Sequence, residues 1–395
     1  MCSSSFVLVV LLAGSGPTLT LDEALKRALE GNAELKVTRA ELQVAQAEVP
    51  LAHAWEMPKL RVQFNDVQNV PTGVFSWYAG LSWRPPNPWE WEHGGASAEA
   101  KLQQARFELA ARSWRVVKEL RQAWLDLSGA AMHEKLAQDT VGVRLQLLGV
   151  LQRRLAQGNG TQVELNLAQL GETDARQELM RWQSAGLKAT QSVAYVVGQP
   201  VTPVPAALSD TPPPLPELAA LEERLEKHPV LEALRAKLGA SKEQEKNLAA
   251  KRLPWPEVQT RFRQRTETPT SNDWQLGLTV PLGITPAPQL DVARAVSARN
   301  QAQLDAEKAQ MASELKILLA RAEGLRERWL SFEEGYRATL TSHRALQARV
   351  LAEGSLDPTL LLAADRQAID LEHKRLEVQL DLARTLVELD FTAGP

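Results

Sequence analysis

Residues 58–86 read PKLRVQFNDVQNVPTGVFSWYAGLSWRPP, and residues 254–286 read PWPEVQTRFRQRTETPTSNDWQLGLTVPLGITP. Both windows alternate apolar and polar residues, the period-two signature of strands with one apolar face. Leu60, Val62 and Phe64 take one face, and Arg61, Gln63 and Asn65 the other. Phe75, Trp77, Ala79, Leu81 and Trp83 then alternate with Ser76, Tyr78, Gly80 and Ser82. In the second window Trp274, Leu276, Leu278 and Val280 alternate with Gln275, Gly277 and Thr279. Turn chemistry, Pro71-Thr72-Gly73 and Pro269 to Asp273, separates the strands of each pair. Two hairpins, over 58–84 and 256–281, make four strands, too few to close a barrel within one chain.

Most of the remaining sequence reads as helix. Only 5% of the chain is aromatic, yet it holds 11 Trp, and Trp55, Trp77, Trp83, Trp89, Trp91, Trp255 and Trp274 lie in or beside the hairpins. Trp gathered at strand ends fits a membrane-interface girdle, or else the packing of a small sheet. Lys and Arg number 45 against 48 Asp and Glu, so the balance gives no reason to expect a nucleic-acid partner. The single cysteine, Cys2, excludes a disulfide framework or a Cys metal site.

Residues 1–18 read as a signal peptide or an unstructured N-terminus. The apolar run Phe6 to Ala13, followed by small residues, resembles a signal-peptide core with cleavage near Ala13 to Gly16, although no Lys or Arg precedes it. The run is too short for a spanning helix, and Cys2 precedes it, which excludes lipoprotein acylation there. Leu19 to Trp55 is predicted helical, with Thr20 and Glu23 forming a capping box and a break at Gly31-Asn32. Ala96 to Gln157 is predicted as one helix of ~90 Å. Its Leu120, Trp124, Leu127 and Ala131 step by four, three and four, a coiled-coil seam. Gly158-Asn159-Gly160 ends that helix, and Thr161 caps a return helix with Glu164 at the capping-box position. Residues 200–216 are a Pro-rich linker, stiff and extended.

A shift of 196 then lays the second half on the first: Leu25 on Leu221, Leu35 on Leu231, Pro58 on Pro254, Val62 on Val258, Gly158 on Gly354. A shift of 197 puts Trp77 on Trp274 and Gly80 on Gly277. The chain is therefore a duplication of one unit, over 19–199 and 217–391, each being helix, hairpin, very long helix, tip and helix. The second long helix is predicted over Gln289 to Ala352, with a seam at Leu318, Ala322, Leu325, Trp329, Phe332 and Tyr336. Its tip is Gly354-Ser355-Leu356-Asp357, and the last helix runs from Pro358 to about Leu389.

The expected fold class is mainly α with a small β part. Helices this long fit a helical barrel whose wall is shared between chains. Hairpins with one apolar and one polar face fit a transmembrane β-barrel, apolar to lipid and polar to a wet lumen. Leu60, Val62, Phe64, Trp77, Leu81, Trp83, Trp274, Leu276, Leu278 and Val280 are then lipid-facing. Arg61, Gln63, Asn65, Arg261, Arg263 and Arg265 are pore-facing. Open edges are not tolerated in lipid, so three copies would close a trimeric barrel of twelve strands.

Over about Leu19 to Phe391 the sequence resembles the TolC-like outer-membrane efflux protein family. The resemblance is carried by LTLDEALKRALEGNAELKVTRAEL, the P-x-L opening of the hairpin at Pro58, GLSWRPP before an Ala-rich helix, GNGTQVELNLAQ and GSLDPTLLLAADRQ at the tips, and the two-fold repeat. It implies a homotrimer in the outer membrane of a Gram-negative bacterium with a large periplasmic part. It implies a passive conduit that docks to a periplasmic adaptor protein and an inner-membrane pump. By the same resemblance Gly158, Asn159, Gly160 and Thr161, with Gly354, Ser355, Leu356 and Asp357, meet the adaptor. Some family members narrow the pore with aspartates after the second tip; Leu360 and Ala363 match those positions here, so that gate does not carry over. Glu164 stands at the equivalent place in the first repeat as a pore-facing candidate, while Asp365 and Asp370 read as solvated faces.

No catalytic constellation, cofactor motif or metal-ligand spacing is present, and the expectation is a protein that is not an enzyme. The six His are scattered without an i,i+4 pair, and His133-Glu134 and Glu372-His373 point to different helix faces. Two other readings use the same pattern: a soluble coiled-coil scaffold with a small capping sheet, or the adaptor itself. The adaptor fold needs many more than four strands.

Overall fold

The computed structural model describes residues 18–66, 75–209, 211–252, 254–265, 271–280, 288–353 and 358–395. Residues 1–17 of the expected signal segment, Pro71 to Gly73 and Pro269 to Thr270 of the expected turns, and the second tip lie outside these residues; Thr18, and Ser271 to Asp273 of the second expected turn, are strand residues instead. In chain order the elements are β1 (Thr18–Leu19), α1 (Leu21–Gly31), α2 (Ala33–Ala52), β2 (Lys59–Asp66), β3 (Phe75–Trp83), α3 (Pro88–Ala156) and α4 (Gln162–Val197). There follow β4 (Thr202–Pro203), α5 (Leu218–Leu225), α6 (Pro229–Ala250), β5 (Glu257–Arg265), β6 (Ser271–Thr279), α7 (Pro288–Gly335), α8 (Arg337–Glu353) and α9 (Pro358–Ala393). The chain is thus mainly helical with a four-stranded sheet, as the alternation and the seams predict.

Two boundaries differ from expectation. The first long helix begins at Pro88, eight residues before Ala96, and is 69 residues long. Asn87 caps it through its side-chain oxygen, which accepts from the Trp89 N–H at 3.1 Å, and Pro88 suits the first helical turn because it has no N–H to satisfy. Gly94-Gly95 is no break: a Cβ at Gly95 would lie 2.2 Å from the His53 ring, so the glycine admits a close neighbour. The second long helix is divided at Tyr336, whose hydroxyl donates to the Ala368 carbonyl at 2.7 Å. Backbone bonds from Tyr336 to Phe332 (3.0 Å) and from Leu340 to Tyr336 (2.8 Å) continue through it, so this is a local distortion.

The chain forms two compact units, each drawing segments from both halves of the sequence. One comprises residues 1–37, 112–228 and 310–395. Its core is strung along the predicted seams. Leu120, Trp124 and Leu127 are buried, and Ala322, Leu325 and Trp329 form a cluster with Val378 and Leu382 of α9. Leu215 of the Pro-rich segment packs on that cluster. The segment is extended: the Ala206 N–H donates to the Ser128 hydroxyl (3.1 Å), and the Gln379 side chain donates to the Ser209 carbonyl (2.7 Å). Its Thr202–Pro203 pairs in parallel with Thr18–Leu19.

Two similar latches lie 196 positions apart in this unit. α4 ends at Gly198, with φ +79°, and its would-be Cβ lies 2.7 Å from the Gly31 carbonyl. There the Asn32 side chain breaks α1 from α2 and donates to the Val196 carbonyl at 2.9 Å. At 196 positions further on, Gly394 (φ +93°) follows α9 against His228, whose Nε2 lies 3.0 Å from the Phe391 carbonyl. Burial lowers the pKa of His228 from its ordinary value. Asp390 completes the second latch, bridging Arg121 at 2.8 Å and Arg224 at 2.7 Å.

The other unit comprises residues 38–111 and 229–309. It holds the sheet, most of α2, all of α6 and the beginnings of α3 and α7. Small and polar residues fill its helical part: Ser97, Ala98, Ala240, Asn247, Ala293, Ser297 and Asn300 are all buried. Such short side chains let helix backbones approach closely.

Replacing Gly198 or Gly394 with Ala forces a Cβ into a left-handed conformation and costs about 1–2 kcal/mol apiece. Gly142 sits inside α3 with open space around its Cβ position, and Gly142→Ala is neutral or stabilising by up to about 1 kcal/mol. Thermal unfolding midpoints of the three variants should therefore split in opposite directions; equal midpoints would sink the latch argument.

Candidate functional site

The sheet runs in the order β2-β3-β5-β6, antiparallel throughout. Paired residues share a face, so the register assigns every side chain. One face carries Leu60, Val62 and Phe64 of β2, Trp77, Ala79, Leu81 and Trp83 of β3, Val258, Thr260, Phe262 and Gln264 of β5, and Trp274, Leu276 and Leu278 of β6. Nothing in the described chain covers its outer strands: Phe64 is 68% exposed, Trp274 79% and Leu276 80%. Val280, just after β6, is exposed as well, while Trp77 is half-buried. An aromatic row crosses this face, Trp77 to Phe262 at 5.5 Å and Phe262 to Trp274 at 4.9 Å between ring centroids. All ten residues expected to face lipid lie on this side of the sheet or, for Val280, directly continue it.

The opposite face is polar. Its rows across the four strands are Arg61-Gly80-Arg261-Gln275 and Gln63-Tyr78-Arg263-Asp273, and Asn65 and Arg265 share the next row with Ser76 and Ser271. Arg61, Gln63, Arg261 and Arg263, all expected to face the pore, fall here, and Asn65 and Arg265 hold register positions one row further on. The Arg261 guanidinium lies over the Tyr78 ring, 4.6 Å from its centroid. β3 and β5 pair on both sides, whereas β2 and β6 pair on one side only. At the base, Trp89 meets Trp255 edge-on at 6.1 Å, Trp255 donates to the Pro85 carbonyl at 2.6 Å, and Trp91 donates to the His53 carbonyl at 3.1 Å.

The first tip belongs to the other unit. Gly158 has φ +78°; its N–H donates to the Leu155 carbonyl (3.0 Å) and the Asn159 N–H to the Arg154 carbonyl (2.9 Å). That pair of bonds is the Schellman arrangement, and it requires glycine at Gly158. The Thr161 hydroxyl accepts from the Glu164 N–H at 3.2 Å, and the Glu164 carboxylate accepts from the Thr161 N–H at 2.9 Å, the predicted capping box. Glu164 is thus half-buried and held by the cap. Gly354 to Asp357 are outside the described residues, as is the Leu360 side chain; Ala363 is exposed.

Two expectations about charged residues are corrected. Asp365 is no solvated face: it is 6% exposed and forms an ion pair with buried Arg144 of α3 at 3.0 Å. Charges so withdrawn from water persist only when paired. Asp370 is exposed, as expected. The histidines are not all scattered. His133 of α3 and His373 of α9 meet with their Nδ1 atoms 2.9 Å apart, and Trp182 of α4 stacks on His133 at 4.0 Å. Their separation of 240 residues hides the pair from any local pattern; only laying α3 and α9 together in register could have found it. Burial, then the neighbouring His373, lowers His133 from 6.5 to about 4. Burial lowers His373 as well, against the opposing pull of Glu178, Glu377 and Asp370. Among the described residues no three His, Cys, Asp or Glu side chains converge as metal ligands, and no helix is long and apolar enough to cross a membrane.

Comparison with known proteins places this arrangement. The fold is that of bacterial outer-membrane channels. The chain aligns with the structure of CusC, described in terms of transmembrane channel formation, at TM-score 0.78 and 14% identity over 95% of this chain and 92% of that one. It aligns with the Campylobacter jejuni CmeC outer membrane channel at 0.76 and 13%, over 95% and 85%. For the open state of the Neisseria gonorrhoeae MtrE outer membrane channel the values are 0.76 and 16%, over 94% and 88%. Residues 24–199 match the family described as outer membrane efflux protein. The resemblance to TolC-like efflux proteins thus holds, by family over the first repeat and by fold over nearly the whole chain. No curated protein matches the sequence.

Because His133 is held neutral in the fold, the unfolded chain takes up a proton near pH 6.5 that the folded chain refuses until about pH 4. Stability is full above pH 6.5 and falls as pH drops through that window. Thermal midpoints recorded from pH 7 to 4 should decline, and His133→Phe should flatten the decline; an unchanged slope would show that the pair is not its source.

Proposed function

We propose that this protein is the outer-membrane channel of a tripartite efflux or secretion system, a passive homotrimeric conduit through the outer membrane and periplasm of a Gram-negative bacterium. The observation that carries this reading is the sheet: an exposed apolar face, a polar opposite face and two unpaired edges within one four-stranded unit. Hydrocarbon tolerates such strands only in a closed barrel. Three copies supply twelve strands, with Leu60, Val62, Phe64, Trp77, Leu81, Trp83, Trp274, Leu276, Leu278 and Val280 toward lipid and Arg61, Gln63, Asn65, Arg261 and Arg263 toward water. The two tips, Gly158 to Thr161 and Gly354 to Asp357, are the contact for a periplasmic adaptor that joins the channel to an inner-membrane pump, the source of energy. Glu164 lines the pore beside the first tip. The chain itself performs no chemistry in this reading.

Single cysteines placed on β2 (Val62→Cys) and β6 (Leu276→Cys), carried by one chain, should cross-link neighbours into covalent dimers and trimers in the outer-membrane fraction. A water-soluble monomer with no inter-chain cross-link would sink the channel reading. Asn159→Trp should lower efflux-dependent resistance several-fold without reducing the amount of trimer; unaltered resistance would remove the first tip from the adaptor contact.

A further inference from the structure

The polar face of the sheet holds a charge imbalance that a wet lumen does not require. Among its described side chains Lys59, Arg61, Arg261 and Arg263 are cationic, and Glu257 and Asp273 are anionic. Arg265 occupies a further register position on the same face. The chain as a whole carries net charge −3, so this concentration of positive charge runs against its composition. Arg61 and Arg261 make no ion pair among the described residues, and Arg263 faces Asp273 across the ladder without closing to ion-pair distance.

The local structure keeps the two arginines free of neighbours that would neutralise them. Between Arg61 and Arg261 in their row stands Gly80, where a Cβ would lie 2.8 Å from the Thr260 carbonyl oxygen. No side chain fits there, so both guanidinium stems flank an open strip of backbone. Tyr78 lies under Arg261 and offers it a ring face instead of a carboxylate. Such a contact holds the cation without cancelling its charge.

We propose that this face is an anion-selecting stretch of the channel, in which Arg61 and Arg261 make chloride and anionic solutes permeate better than cations. The inference rests on the channel reading above. Repeated by three subunits around one lumen, the row becomes a ring of guanidinium groups, the kind of wall that favours anions in pores. The apolar layer behind it is a low-dielectric backing that focuses the field into the water. Mobile salt screens that field with a Debye length of about 10 Å at 0.1 M and about 3 Å at 1 M, so the preference fades as salt rises.

The test is the reversal potential of the full-length protein in planar lipid bilayers under a KCl gradient. The wild type should give a chloride-to-potassium permeability ratio above unity that moves toward unity between 0.1 and 1 M salt. The double variant Arg61→Gln/Arg261→Gln should lower the ratio by about threefold, the scale of a potential change near kT, and Arg61→Glu/Arg261→Glu should reverse it. Arg61→Lys/Arg261→Lys keeps the charge and should keep the preference. A cation-selective wild type, or a Gln variant with the wild-type reversal potential, would overturn the proposal while leaving the channel standing. If the variants fail to assemble, the wild-type ratio and its salt dependence still decide. Absence of any conductance overturns the channel reading itself, and the selectivity with it.

Discussion

The backbone of β2 and β6 sets the terms for the rest of the molecule. Among the described residues each strand pairs its N–H and C=O groups with one neighbour and has none on the other side. In water an unpaired edge is solvated at little cost. In hydrocarbon each unpaired group costs several kcal/mol. The side chains of the same strands suit an apolar surrounding, since Phe64, Trp274 and Leu276 are exposed and nothing among the described residues covers them. In the channel proposed here, side chains and backbone are reconciled when β2 of one copy pairs with β6 of another. Assembly in this reading is a demand of the main chain, which no change of surface residues could remove.

The helices obey a different economy. Their seams bury Leu, Ala and Trp one residue at a time along a stripe, as Leu120, Trp124 and Leu127 do in α3 and Ala322, Leu325 and Trp329 do in α7. Around the beginnings of α3 and α7 the buried residues are smaller and more polar, with Ser97, Asn247, Ser297 and Asn300 among them. Gly95 leaves room there for the His53 ring, which a Cβ would meet at 2.2 Å. Polar ties such as Arg144 to Asp365 then fix which helices lie together, because separating them would strand a charge.

Much of this was legible because the governing patterns are local. Alternation over eight or nine residues gave the strands and their faces, and the register follows it residue for residue. The four-three spacing gave the seams, and Gly158, Thr161 and Glu164 gave the first tip with its caps. What could not be read depends on contacts between distant segments. Asp365 looks solvated until Arg144, 221 positions earlier, is seen beside it. His133 and His373 look unrelated until α3 and α9 are laid together. Pro88 and Gly94-Gly95 look like loop residues, since two glycines ordinarily weaken a helix; the packing of His53 against Gly95 outweighs that preference. Tyr336 continues the seam in sequence, yet the helix is interrupted at this residue, whose hydroxyl reaches the Ala368 carbonyl.

The two latches hold one further lesson, for they do the same job with different chemistry. Asn32 secures the first with an amide, whose bond to the Val196 carbonyl is indifferent to pH. His228 secures the second with an imidazole, buried and therefore resistant to taking a charge. The two fasteners stand at positions 196 apart, and only one of them carries a group that acid can charge. In an acidifying compartment the carboxyl-terminal fastener would bear the cost of a buried proton, a cost the amide of the first does not meet.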